Sequence, residues 1–445
     1  MDVLMLYLVG VLLMVVGIAA SIGLHEIGHL VPAKKFGVKV TQYMVGFGPT
    51  LWSRQRGETE YGVKAIPLGG YIRMIGMFPP RPKDHGMLRT STTGRWGQMT
   101  EQVRAESLEE VGPGDENRVF YKLPVWQRVI IMLGGPFMNL IIATVLLTGI
   151  MTLYGLPQLT TTVGAVSVCA PENPAVTDCE GQPAAPATEA GLEAGDTLLA
   201  INGTPVDDWF VTSYRLQNAG SQAQLLIERD GVEQTLNANL VTRERALLNP
   251  DGTVQLDAAG EPVVGEVSFL GASGSVAYVR APLTEAPAFV GGALADTAGI
   301  FLKLPEKLVG VFQAAFAGED RDQQGPMSVV GVGRVAGEVT SGDLGALTES
   351  FGSRIVLLLS LLASLNIALF VFNMIPLLPL DGGHVAGALW EGVKKTYARL
   401  RGLPDPGPVD IAKALPVAYS VAIGLIGMTL LLVYADVVNP IRLGG

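Results

Sequence analysis

An uncharged apolar run from Val3 to Leu24 leads directly into His25-Glu26-Ile27-Gly28-His29. The run is long enough to cross a bilayer as a helix, which takes roughly 20 residues. That commits the start of the chain to one conformation, because lipid offers no partner for unpaired backbone groups. On a helix, His25 and His29 stand one turn apart on one face, so both imidazoles can reach a single metal ion. Glu26 lies beside them, where its carboxylate can take a proton from a water molecule. Ionisable groups in a spanning segment are disfavoured by a few kcal/mol or more each. Three of them at the end of this run imply use.

Of 445 residues, 49% are hydrophobic and only 16% are charged. Soluble domains carry about 25% charge, so part of this chain belongs in a membrane. The net charge of -10 argues against a nucleic-acid partner. The two cysteines, Cys169 and Cys179, make a cysteine-held metal site unattractive. If their region lies outside the cytosol they can form a disulfide; two buried thiols are the alternative. Asp2, in place of a basic start, and the length of the apolar run argue for a retained span and against a cleaved signal.

Three further stretches qualify as spans: Val129 to Leu153, Ile355 to Leu380 (interrupted by Asn366, Asn373, Pro376 and Pro379) and about Leu415 to Tyr434. The segment between the first two spans holds about fifteen Lys and Arg, beginning with Lys34, Lys35 and Lys39. The loop after the third adds Lys394, Lys395, Arg399 and Arg401. Both should be cytoplasmic, which leaves the region from Tyr154 to Ser353 and both termini outside. Zinc in a hydrolytic site usually has three protein ligands and a water. Only His85 and His384 remain as histidines, so a carboxylate is the expected third ligand. Asp381 is the candidate, arriving at the cytoplasmic end of the third span at the same depth as the histidine pair. His384 is not needed as a fourth ligand, and a helix cap is the alternative role for Asp381.

The expected fold is a polytopic α-helical membrane protein with four transmembrane helices, a membrane-associated β-hairpin region and an extracytoplasmic mixed α/β domain. The segments are 1–40, the first span with the histidine motif; 41–75, glycine-rich strands; 76–122, a polar cytoplasmic insertion containing the surface residue His85; and 125–155, the second span. Outside the membrane, 157–245 forms a domain and 246–350 a strand and amphipathic-helix region that includes a helical stretch Ile300 to Phe316. The third span, 353–384, carries Asp381, and the fourth is 411–437. The stretch Ala190-Gly191-Leu192-Glu193-Ala194-Gly195-Asp196 through Ile201-Asn202-Gly203 reads as a short helix, a glycine turn, a strand and an Asn-Gly turn. It resembles the PDZ signature of membrane and periplasmic proteases.

The histidine motif on the first span, the Gly46-Phe47-Gly48-Pro49 hairpin, the PDZ signature and Asn373-Met374-Ile375-Pro376 through Leu380-Asp381-Gly382-Gly383-His384 together resemble the site-2 protease family of intramembrane zinc metalloproteases. The match runs from Val3 to about Tyr434. It is nearest the bacterial branch that cleaves anti-sigma factors in regulated intramembrane proteolysis. It departs from the best-known enterobacterial member in having one PDZ signature and the insertion. The resemblance implies zinc as cofactor, a single-pass transmembrane protein as substrate (pre-cut by another protease) and an inner-membrane location with the active site near the cytoplasmic face. It also implies that Asn373 contacts the substrate backbone. Asn366 is a further candidate, and hydrogen bonding between helices is the alternative for both. Gly46, Phe47 and Gly48 belong to strands that could pair with an extended substrate. The competing classes are a PDZ-bearing membrane scaffold, which would predict an eroded motif, and a metal transporter, which would predict polar groups through several spans.

Overall fold

The computed structural model of the chain describes residues 3–79, 110–171, 181–257, 262–318, 325–342 and 350–441, with 102, 107, 179, 321, 322 and 348. His85 and most of the 76–122 segment lie outside the described residues. The chain divides into two compact units, residues 1–150 with 282–445, and residues 151–281.

The first unit opens with helix α1 (Val3–Lys35), in which the apolar run and the histidine motif are continuous. Lys34 and Lys35 occupy its last turn, where cations favour the negative end of the helix dipole. Strands β1 (Val40–Arg56) and β2 (Thr59–Met74) follow. They are long and folded back on each other. Met44 faces both Tyr71 and Gly62, and Val45 both Gly70 and Val63. The bend is made at Gly46 and Gly69, whose φ of 96° and 134° suit glycine. Helix α2 (Val125–Gly149) continues into a wide turn at Ile150–Tyr154.

The second unit contains β3 (Leu156–Val166), the one-turn α3 (Pro186–Glu189), β4 (Thr197–Ile201), β5 (Thr204–Pro205), α4 (Trp209–Gln217), β6 (Gln222–Arg229), β7 (Val232–Asn239), β8 (Val241–Ala246), β9 (Val264–Phe269) and β10 (Ala272–Val279). The main sheet runs β10-β3-β4-β6-β7 with β5 on β4, and β8 pairs with β9. Asn202-Gly203 and Asp230-Gly231 all have positive φ, as tight hairpin turns require. Val163, Leu198, Trp209, Leu216, Leu225 and Ile227 form the core under the sheet. Cys169 and Cys179 are joined as a disulfide. The boundary expected at 245 is not a boundary here. Strand β10 returns to pair with β3 from Val166 to Leu156, so the unit continues to residue 281.

The chain then re-enters the first unit with α5 (Ala286–Leu302), α6 (Leu304–Phe316), α7 (Val329–Ser341), α8 (Phe351–Asn373), α9 (Asp381–Leu400) and α10 (Leu415–Val438). The stretch Ile300 to Phe316 is not one helix: α5 and α6 meet at 66°. The third apolar stretch also differs from expectation. Its helix ends at Asn373, and Asp381 begins a separate helix after the Pro376–Pro379 break. Among the described residues, Val3–Lys35, Val125–Tyr154, Phe351–Asn373 and Leu415–Val438 are long and apolar enough to cross a membrane.

In the second unit, Asp196 is buried and accepts from Arg229 Nε at 2.6 Å and Nη2 at 2.7 Å, and from the Glu193 amide at 2.9 Å. The guanidinium holds the Asp196 carboxyl below the usual carboxylate range. A group with a lowered folded pKa stabilises fully above its unfolded value, about 3.9, and loses that contribution as pH falls through the folded value. Hydrogen-exchange protection factors of β4 and β6 in the intact chain should therefore fall below about pH 4. Asp196→Asn should lower them at neutral pH and flatten the acid dependence. An unchanged profile in the variant would remove the pair from this account.

Candidate metal centre

Helix α1 delivers His25 and His29 with their rings edge to face, centroids 4.9 Å apart. Asp381, the first residue of α9, meets both. Its Oδ2 lies 3.4 Å from His25 Nε2 and 3.5 Å from His29 Nε2, and the two Nε2 atoms are 3.3 Å apart. Three donor atoms thus form a nearly equilateral triangle. A tetrahedron with bonds of about 2.0–2.1 Å has edges of about 3.3–3.4 Å, so this face fits zinc and leaves the fourth vertex open. No other group of three such side chains close enough to hold a metal occurs among the described residues. His384, one turn beyond Asp381, is not part of this group.

Helix α2 orients the imidazoles. His29 Nδ1 lies 2.7 Å from the Ile131 carbonyl. A carbonyl only accepts, so Nδ1 carries the proton and the Nε2 lone pair faces the triangle. Asn139, 1% exposed, sits 3.1 Å from His25 Nδ1 through its amide nitrogen, and its Oδ1 has no partner. Turning the amide over satisfies that oxygen with the Nδ1 proton and frees His25 Nε2 in the same way. Room for the rings depends on Gly135, where a Cβ would collide with the Nε2 atoms of both histidines. Gly28 and Gly134 pack backbone to backbone, and a Cβ on either would strike the other's carbonyl.

Glu26, 8% exposed, faces β2. A Cβ on Gly70 would come within 2.9 Å of Glu26 Cγ and of Ile22. Tyr43 of β1 donates to the Gly23 carbonyl at 2.8 Å, which fixes the sheet to α1 two residues before the motif. The remaining candidates are scattered. Asn373, the last residue of α8, is half-buried at the start of the Pro376–Pro379 break. Asn366 is fully buried and donates to Ser21 Oγ at 2.9 Å and the Leu362 carbonyl at 2.8 Å, so it ties α8 to α1. That is the helix-to-helix role weighed for it as the alternative to substrate contact, and its Oδ1 has no hydrogen-bond partner. Gly46 and Gly48 serve the bend of the sheet, and Phe47 stacks on Tyr71.

The supporting residues of α2 escape a motif search for ligands. Gly134-Gly135-Pro136 and Asn139 register in the sequence only as interruptions of a span. Small residues followed by a polar one in an apolar helix are nevertheless a signal of close helix packing around a buried polar group.

The sequence profile of peptidase family M50 matches residues 13–402. The chain is 34% identical over 447 residues to the zinc metalloprotease Rip1 of Mycobacterium bovis, covering 99% of this chain and all of that protein. It is 32% identical over 452 residues to the Rip1 of Mycolicibacterium smegmatis, with 99% and 100% coverage. It is also 28% identical over 413 residues to the metalloprotease MmpA of Caulobacter vibrioides, covering 88% of this chain and 90% of that one.

Loss of a partner that orients a metal-bound imidazole commonly weakens metal affinity about 10–100-fold. Asn139→Ala should do so in competition with a chromophoric chelator, and Asn139→Asp, which keeps an acceptor, should retain most of the affinity. Equal affinity in the alanine variant would exclude Asn139 from orienting His25.

Proposed function

This chain belongs to peptidase family M50, the site-2 protease family, and on that premise we propose that it hydrolyses a peptide bond within or near the transmembrane helix of a single-pass membrane protein, such as an anti-sigma factor, during regulated intramembrane proteolysis. It is a zinc metalloendopeptidase and a multi-pass membrane protein. The observation that carries the finer reading is the convergence of His25, His29 and Asp381 beside Glu26, from two helices distant in sequence.

His25, His29 and Asp381 would hold one zinc ion, which supplies Lewis acidity: it brings the pKa of a bound water toward neutrality and polarises a peptide carbonyl. Glu26 accepts the proton of the attacking water on its carboxylate. It then passes that proton to the departing amine nitrogen as the C–N bond breaks. Burial of Glu26 and the anchored imidazoles keeps these groups in fixed relation.

A spanning helix hides its carbonyls in its own hydrogen bonds, so the substrate must unwind before it is cut. Strand β2, lying against Glu26 at Gly70, offers backbone groups to an extended segment by strand addition, with Gly46, Phe47 and Gly48 shaping the same sheet. The Asn373 amide can replace one lost backbone partner beside the break. The excess of Lys and Arg around the centre puts it near the cytoplasmic face, with the termini and residues 151–281 outside. The Cys169–Cys179 disulfide supports that side for the second unit, since disulfides persist in oxidising compartments. As a PDZ domain there, the unit would filter substrates by excluding bulky ectodomains until another protease trims them.

Purified protein in vesicles with a single-pass substrate tests this reading. Glu26→Gln should retain zinc by mass spectrometry and lose cleavage by at least about 100-fold. His25→Ala and Asp381→Ala should lose the metal. Full cleavage by the glutamine variant would remove Glu26 from the reaction, and unchanged zinc in the others would break the ligand assignment.

A further inference from the structure

Helix α9 presents two unlike faces. On one, Val385, Ala388, Glu391 and Ala398 are buried. Glu391 accepts there from Arg128 of α2 at 2.5 Å and from the Val409 amide at 2.9 Å. The other face exposes Leu389, Trp390, Val393, Tyr397 and Leu400, between 53% and 81% of each. At 3.6 residues per turn these five fall within an arc of about 100°. Lys394 and Arg401 border that arc on one side, Arg399 stands about 80° beyond the other, and Lys395, on the far face, pairs with Glu391 at 2.8 Å. Arg401 sits 5.7 Å from the centre of the Tyr397 ring. The helix has only two acids, Asp381 and Glu391, and neither lies on this stripe. An apolar groove of about 540 Å³ runs along the stripe between Val125, Leu389, Val393 and Leu400. A second, of about 360 Å³, opens beside Lys394 and Tyr397 against Leu403 and Pro404.

So much contiguous apolar surface calls for a partner. Helices α8 and α10, which precede and follow α9, are both long and apolar enough to span, so α9 is tethered to the bilayer at both ends. An apolar stripe bordered by cations is the pattern of a helix lying flat in the headgroup layer. The cations reach sideways to lipid phosphates, and the absence of acids on the exposed side removes any repulsion.

We propose that α9 is an interfacial helix that binds anionic phospholipid: acyl chains fill the groove along Leu389, Val393 and Leu400, and Lys394, Arg399 and Arg401 bind the headgroup phosphates. Because Asp381 is the first residue of this helix, the same docking sets where the third carboxylate stands relative to the histidine pair. The proposal rests on the membrane reading of α8 and α10. Its first half does not depend on proteolysis.

Two measurements on the full chain test it. Neither described cysteine is free, so single cysteines at 386 through 401 can carry nitroxide labels with the disulfide intact. In vesicles of phosphatidylcholine and phosphatidylglycerol, collision with oxygen against a water-soluble nickel chelate should oscillate with the helix period. The deepest positions should be 389, 393, 397 and 400, roughly 5–10 Å below the phosphates. Uniform water access along the stripe would overturn interfacial docking, whether or not the chain cleaves anything, and so would shielding from both probes, the mark of a protein partner. Second, zinc affinity should be about threefold or more tighter in the anionic vesicles than in pure phosphatidylcholine. That difference should disappear in Lys394→Glu/Arg399→Glu/Arg401→Glu. Equal affinity of the unaltered protein in the two lipids would refute the coupling to Asp381 even if the triple variant fails to fold.

Discussion

The close crossing of α1 and α2 is the contact on which the centre depends. Gly28 against Gly134 lets two backbones touch, and Gly135 leaves the space that both imidazoles fill. In lipid there is no hydrophobic drive to press helices together, so close van der Waals packing and buried polar contacts must do it. Here the two coincide. The approach that small residues permit is also what brings the Ile131 carbonyl and the Asn139 amide to the far nitrogens of the rings. A bulkier residue at the crossing would separate the helices and leave the imidazoles free to turn, and a metal site made of turning ligands binds weakly.

The third donor is held by different means. A buried cluster joins Leu30 and Ala33 of α1, Val40 and Met74 of the sheet, Ile131 and Met132 of α2 and Val385 of α9. It includes Leu30, next to His29, and Val385, one turn into the helix that starts with Asp381. Ten residues further on, the Arg128–Glu391 pair, almost wholly buried, joins α2 to α9 again. Removing one partner of such a pair leaves an uncompensated charge, typically costing 3–5 kcal/mol. The pair therefore fixes register between α2 and α9 better than it adds to stability. One helix, α2, thus positions all three donors: two through hydrogen bonds to their rings and one through packing and an ion pair further along its helix.

Much of this could be read from the residues because lipid simplifies the problem. A bilayer demands about 20 apolar residues per crossing, so four spans can be counted, and an ionisable group within them stands out. His25, Glu26, His29 and Asp381 were found on that basis. The errors arose where hydropathy ceases to report geometry. Leu377, Leu378 and Leu380 prolong the third apolar run past the helix end at Asn373, because the run is apolar but the prolines forbid the helix. Asn366 stands out in the sequence because a polar group in a span usually has a function. It bonds Ser21 across the helix interface, a contact that no single sequence distinguishes from binding substrate. The continuation of the second unit past residue 245 depends on β10 pairing with β3, a contact between strands more than a hundred residues apart. Strand pairing over such a distance leaves no local periodicity to read.

The segment from Asn373 to His384 shows how chemistry and backbone geometry share one motif. Asp381 supplies a carboxylate at a helix N-terminus, where the dipole favours negative charge. The two glycines after it are required by space. A Cβ on Gly382 would collide with the Ile375 carbonyl, and one on Gly383 would lie 2.6 Å from the Leu377 carbonyl carbon. The break after α8 therefore folds back against the first turn of α9. That tight return, with Pro376 and Pro379 preventing α8 from simply continuing, displaces Asp381 from the axis of the third span and turns it toward the histidine pair. A straight helix through the same residues would have carried the carboxylate past the plane of the imidazoles. The interruption of the span is thus what completes the triangle of donors.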